Sequence, residues 1–206
     1  MTRLLPGILA MAAIVVASNV LVQIRLGDWL TWGALTYPFA FLVTDVMNRV
    51  YGAPTARKVV LAGFATGVLC SLIGTQIAGE FGPLVTLRVA LGSGAAFLAA
   101  QLVDVALFDR LRGGRWWRAP LVSTLAGSAL DTALFFSIAF SAALVWLEPG
   151  ADVAWANAAV PVLGMGPAAP LWVSLAVADW SVKLVLALVA LVPFRAITTA
   201  LKPRLA

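Results

Sequence analysis

Long runs of Ala, Leu, Val, Ile and Phe alternate along the chain with short connections that hold most of its charge. A helix that crosses a bilayer needs roughly 20 mostly apolar residues. Six such runs occur, at 4–24, 31–51, 59–78, 83–108, 120–146 and 170–192. They predict an all-α integral membrane protein of six transmembrane helices forming one domain over 1–206. The first run follows Arg3 and shows no small-residue cleavage site before Gln23, so it is predicted to be a retained helix and not a signal peptide.

Composition supports this pattern. The 206 residues are 62% hydrophobic and 11% charged, whereas soluble domains are about half apolar and a quarter charged. The net charge of +5 resides in the connections, so it sets orientation and implies no nucleic-acid partner. Arg3, Arg49, Arg57, Lys58, Arg110, Arg112, Arg115, Arg118, Arg195, Lys202 and Arg204 fall on one side, and Arg25 alone falls on the other. By the positive-inside rule both termini are predicted to be cytoplasmic. Asp28, Glu80, Glu148 and Asp152 lie in the opposite loops, and Trp29, Trp32, Trp116, Trp117, Trp146 and Trp172 lie at segment ends, where indole rings anchor at the interface.

Candidate chemistry is confined to a few polar side chains inside apolar runs. An ionisable group there costs several kcal/mol unless it pairs, faces a cavity or snorkels to the interface. Asp131, Asp179 and Lys183 lie near the middle of their segments. Asp179 and Lys183 are spaced i,i+4 and can neutralise each other. Asp131 has no such local partner, so it must be protonated, paired across helices or exposed to a hydrated cavity. Arg88 and Asp104 stand roughly 24 Å apart along one helix, too far to pair, and Arg88 can snorkel outward. Gln101 and Asp104 project from one face with Phe97 a turn earlier, a set suited to a planar solute with several hydrogen-bonding groups. Thr44, Asp45, Asn48 and Arg49 form a second cluster near the cytoplasmic end, and Pro38 is expected to kink its helix.

The rest of the sequence is less specific. Trp180 could stack on a flat solute or simply pack. The long loop 148–170 reads as unconstrained, and Ala13/Ala17 and Gly63/Gly67 predict close helix crossings. With no histidine, the usual metal ligand and general base are missing; no cofactor or metal is implied. Cys70 is a lone thiol in an apolar run.

Several motifs in order resemble the queuosine precursor transporters, also called the vitamin uptake transporter family. They are Tyr37-Pro38-Phe39 through Thr44-Asp45, Asn48 and Tyr51-Gly52; Arg57-Lys58 and Gly63-Phe64; Arg88 to Ser93; Phe97, Gln101 and Asp104; and Ser123, Gly127, Asp131-Thr132 and Phe135-Phe136. The likeness spans roughly 37–140 and continues weakly into the last helix. It implies six helices in the bacterial inner membrane and uptake of 7-cyano-7-deazaguanine and 7-aminomethyl-7-deazaguanine. Ser128 and Arg49 depart from its pattern, which often has Gln and Glu there. The expected ligand set is Asp131, Asp104, Gln101, Arg88, Asp45, Asn48, Ser93, Phe97, Thr132, Phe135, Asp179, Trp180 and Lys183, with Asp131 the principal contact.

Other readings remain. The short helices and Ala13/Ala17 are also similar to S components of energy-coupling factor transporters, which work with a separate energising module. No phosphate-loop motif is present, so the chain itself is not expected to hydrolyse ATP, and proton coupling and a homo-oligomer both stay open. An intramembrane aspartyl enzyme using Asp104 and Asp131 is the alternative from another class, although Gly127-Ser128-Ala129-Leu130-Asp131 lacks the Gly-x-Gly-Asp arrangement.

Overall fold

The computed structural model describes residues 4–79 and 82–201. Arg3, Glu80, Lys202 and Arg204, which contribute to the orientation argument, lie outside the described residues. The helices are α1 (Leu5–Leu21), α2 (Gly33–Thr36), α3 (Phe39–Tyr51), α4 (Ala53–Gln76), α5 (Leu87–Leu111), α6 (Arg118–Phe140) and α7 (Leu171–Leu201). Among the described residues, α4, α5, α6 and α7 are long and apolar enough to cross a membrane, and α1 is a shorter apolar helix. Three two-stranded antiparallel hairpins tie loops: β1 (Arg25–Leu26) with β2 (Leu30–Thr31), β3 (Ala78–Gly79) with β4 (Gly82–Pro83), and β5 (Ala159–Pro161) with β6 (Ala168–Pro170).

Several element boundaries differ from the sequence expectation. The second apolar run is not one helix but is divided into α2 and α3 at Pro38. Proline supplies no backbone N–H, and tighter bonds from Ala40 N to Tyr37 O (2.9 Å) and Phe41 N to Pro38 O (3.2 Å) carry the chain through the break. Helix α4 starts at Ala53, earlier than the third apolar run predicts. Gly52 makes the abrupt turn with φ 86°, a conformation natural to glycine, and Pro54 sits in the first helical turn, where its missing donor costs nothing. Conversely α6 stops at Phe140, and the residues up to Leu147 form a 3₁₀ turn. The last helix continues through Pro193 to Leu201, held by Phe194 packing edge-on against Phe108 at 6.1 Å.

The 148–170 loop is also more ordered than its composition predicts. Asn157 donates to Phe140 O at 2.9 Å and accepts from Ala142 N at 3.2 Å, Trp155 packs edge-on against Phe140 at 5.6 Å, and β5 pairs with β6. These contacts bind the loop to the end of α6, which a residue count cannot reveal.

Burial runs opposite to that of a water-soluble domain. Leu69, Ile73, Val185, Leu188 and Val192 are 57–73% exposed, whereas Arg88, Gln101, Asp104, Thr44 and Asn48 are fully buried. Lipid solvates the first set, and the helices must satisfy the second among themselves. An apolar cluster of Met11, Val15, Met47, Val59, Val60 and Phe97 joins α1, α3, α4 and α5.

Gly63 allows that junction to close. A Cβ there would lie 2.5 Å from Met11 Cγ and 2.9 Å from Phe97 Cζ. Gly63→Val is therefore expected to lower stability by about 1–3 kcal/mol through overpacking. Thermal unfolding of the detergent-solubilised chain, with Gly67→Ala as the comparison at a roomier position, reads this directly; Gly67 has Val15 Cγ1 at a comfortable 3.6 Å.

Candidate functional site

Helices α5 and α6 form the most extensively packed pair, and among the described residues they supply half of the buried polar side chains. Gly127 brings them together: a Cβ there would meet Ala100 O at 3.1 Å, Asp104 Cβ at 3.3 Å and Phe41 Cε1 at 2.8 Å. Against this pair α3 and α7 add further polar side chains, arranged in two layers. Thr124 marks one layer and Asp131 the other, about 10 Å apart along α6.

The Asp131 layer is internally satisfied. Lys183 Nζ lies 2.7 Å from Asp131 Oδ2 and 2.6 Å from Asp179 Oδ2, and donates to Thr132 Oγ1 at 3.0 Å. Thr132 in turn donates to Asp179 Oδ2 at 2.8 Å, and Tyr37 OH donates to Asp131 Oδ1 at 2.9 Å. Of the three states open to Asp131 in the sequence, pairing across helices is the one observed. The i,i+4 pairing of Asp179 with Lys183 is present as well, so one ammonium bridges two carboxylates. Tyr37 belongs to this layer although its residue type alone did not single it out; its position just before the Pro38 break is the signal that could have done so.

The Asp45/Asp104 layer is incompletely satisfied. Ser123 and Thr124 donate to Asp45 at 3.4 and 3.2 Å, and Thr44 donates to Gln101 Oε1 at 2.6 Å. Asn48 Nδ2 donates to Val105 O at 3.1 Å. Asp104 lies close enough to Asp45, Ser123 and Thr124 to interact with them, yet neither Asp104 oxygen has a hydrogen-bond partner of good geometry among the described residues. Gln101 Nε2 and Asn48 Oδ1 are likewise without partners there. Buried polar groups are nearly always hydrogen-bonded, so this concentration of unmet donors and acceptors along one α3–α5 seam makes it the candidate position for a ligand or water. A cleft beside it, lined by Pro38, Phe41, Asp45, Thr124, Ala187 and Leu191, encloses about 10 Å³. That is room for about one water, so a larger ligand requires the helices to separate.

Arg88 does not snorkel. It is fully buried, and its Nε and Nη2 donate to Ile138 O (3.0 Å) and Ser141 O (2.6 Å), while its backbone N donates to Glu148 at 3.0 Å. A cation beside the last carbonyls of α6 offsets the negative end of that helix, which accounts for its depth. Nη1 remains without a partner among the described residues.

The aromatic residues are distributed differently from the sequence expectation. Phe97 packs edge-on to Tyr37 at 6.2 Å and so borders the Asp131 layer. Phe135 is stacked among Phe136 and Phe140 towards the end of α6, and Trp180 is 38% exposed on the outside of α7. Adjacent residues on a helix point about 100° apart, so the inward position of Asp179 turns Trp180 towards the exterior. Ser93 is half-buried with no side-chain hydrogen bond among the described residues.

An apolar exterior around buried ionic layers defines a multi-pass integral membrane protein with a polar interior. The family described as "Putative vitamin uptake transporter" matches residues 31–198, and the chain belongs to that family. It is 34% identical over 194 residues to the "Queuosine precursor transporter" of Escherichia coli (strain K12), covering 87% of this chain and 79% of that protein. It is 40% identical over 121 residues to the "Probable queuosine precursor transporter" of Haemophilus influenzae, covering 53% of this chain and 52% of that one. A Bacillus subtilis (strain 168) protein with the same "Probable" name is 34% identical over 141 residues, 57% of this chain and 61% of its own length. No solved structure matches the chain significantly. The family is one of transporters, so the aspartyl-enzyme alternative falls away.

Proposed function

We propose that the chain takes up the queuosine precursors 7-cyano-7-deazaguanine and 7-aminomethyl-7-deazaguanine across the bacterial inner membrane. In this reading the segments around α1, α2–α3, α4, α5, α6 and α7 make six crossings with both termini cytoplasmic. The observation that carries the site assignment is the seam of unpartnered groups, Asn48 Oδ1, Gln101 Nε2 and both Asp104 oxygens.

A guanine-like edge offers a ring N–H and an exocyclic amine, which one carboxylate accepts as a bidentate pair. Asp104 is the carboxylate whose two oxygens need no rearrangement to do so. The Gln101 amide donates to the base carbonyl, and Asp45 supplies a second acceptor for the ammonium of the aminomethyl base. Asp131 engages the ligand when Tyr37 or Lys183 gives way, which links occupancy to the position of α7. The Pro38 break lets α3 move relative to α2, and separation of α3 from α6 and α7 widens the cleft.

The test is complementation in cells that neither make nor import deazaguanine precursors. Each base is supplied separately and queuosine in tRNA is measured. Queuosine restored by at least one base supports the proposal; no restoration by either, with the chain present in the membrane, refutes it.

A further inference from the structure

The basic end of the molecule holds a second pocket that the proposed uptake site does not use. Arg49 of α3, Trp116 before α6, and Phe194, Arg195, Thr198 and Thr199 of α7 line a space of about 210 Å³, much larger than the cleft beside Asp45. Among the described residues neither of its two arginines forms an ion pair. Arg49 Nη1 donates to Arg112 O at 2.8 Å, and its guanidinium lies over the Phe108 ring at 5.0 Å and the Phe194 ring at 5.9 Å. Arg195 lies over Trp116 at 4.6 Å, and its guanidinium forms no hydrogen bond or ion pair among the described residues. The one acidic group in an ion pair at this end, again among the described residues, is Asp109, committed to Arg112 at 3.1 Å.

This arrangement is unlike a solvated charge run. The aromatic contacts orient the guanidiniums towards a shared space, and each still carries several N–H donors. Thr199 adds an exposed hydroxyl beside them. Planar guanidiniums match the oxygens of a phosphate group as paired donors. The surroundings are apolar: Trp116 is 40%, Ile197 39% and Val192 73% exposed near the same end of α7. A phosphate attached to acyl chains would satisfy both the cations and the apolar rim, and basic pockets between membrane helices suit such head groups.

We infer that the Arg49–Arg195 pocket binds a phosphate group, presented by an anionic lipid at the membrane surface. The test uses the full chain in a neutral detergent. It is titrated with dioleoylphosphatidylglycerol, dioleoylphosphatidylcholine or inorganic phosphate, with bound lipid counted by native mass spectrometry and the thermal midpoint followed in parallel. The phosphatidylglycerol should bind in preference to phosphatidylcholine, and Arg195→Gln should weaken it by about fivefold, corresponding to ~1 kcal/mol per arginine near an anionic surface. Arg195→Lys, which keeps the charge and loses the paired donors, should fall between them. Stabilisation by inorganic phosphate alone, equal to that by lipid and lost in Arg195→Gln, retains the site and assigns it to the free anion. Equal binding of both lipids, or an unchanged affinity in Arg195→Gln with a normal gel-filtration profile, overturns the inference. Arg195 is exposed, so its replacement leaves the core intact.

Discussion

Asp104→Asn is expected to reduce precursor uptake by about 100-fold without loss of stability. Neither carboxylate oxygen has a hydrogen-bond partner of good geometry among the described residues, although Asp45, Ser123 and Thr124 lie within interaction reach of it. The amide has the shape of the carboxyl group and can still meet these neighbours. The thermal midpoint should therefore stay within about 2–4 °C of the wild type, roughly 1 kcal/mol for a chain of this size. A ligand edge donating two bonds to Asp104 loses much more, since hydrogen bonds to charged groups contribute about 1.5–3 kcal/mol each. Uptake of radiolabelled base and thermal unfolding, measured on the same preparations, separate the two effects. Uptake near the wild-type level would exclude Asp104 as a ligand contact, and a parallel fall in both would make its role structural.

The second large effect is expected at Lys183, with the opposite balance. Lys183→Met keeps an unbranched side chain of similar length and removes the only cation between Asp131 and Asp179 among the described residues. Leaving buried partners uncompensated costs about 3–5 kcal/mol, so the thermal midpoint should fall by roughly 10 °C. Neutralising the carboxylates in the same chain, as Lys183→Met with Asp131→Asn and Asp179→Asn, should recover most of that loss, because a polar layer without net charge no longer needs the ammonium. A midpoint unaffected by Lys183→Met, or a triple variant no better than the single one, would show that the bridge does not hold α6 to α7.

Together these variants distinguish the two polar layers. The Asp131 layer is closed by Lys183, Thr132 and Tyr37, whereas the Asp104 layer retains unmet groups. The same residue type therefore has different consequences at two depths of one helix pair. The difference comes from which neighbours α3 and α7 present, a matter of three-dimensional packing.

Much of this architecture was legible in the sequence because a bilayer imposes one-dimensional constraints. Apolar runs near 20 residues must be helices in lipid, and polar residues retained within them must turn inward. Those two rules located α1 and α4 to α7 and singled out Arg88, Gln101, Asp104, Asp131, Asp179 and Lys183, all of which are buried or half-buried. Local spacing also sufficed for the Asp179–Lys183 pair, since i,i+4 neighbours on a helix share a face.

Only the tertiary structure decided what those inward groups meet. Asp131 finds Lys183 and Tyr37 across long sequence separations, and Arg88 finds the carbonyls ending α6 instead of the interface. Trp180, for which the sequence leaves stacking on a solute and plain packing both open, is 38% exposed, because the rotation of α7 is set by the packing of Lys183 and Asp179. The Pro38 break was foreseen as a kink; its separation of α2 from α3 depended on the tight turn at Tyr37. Hydropathy determines which residues leave lipid, while helix rotation and cross-helix partners determine which of them remain available to a ligand.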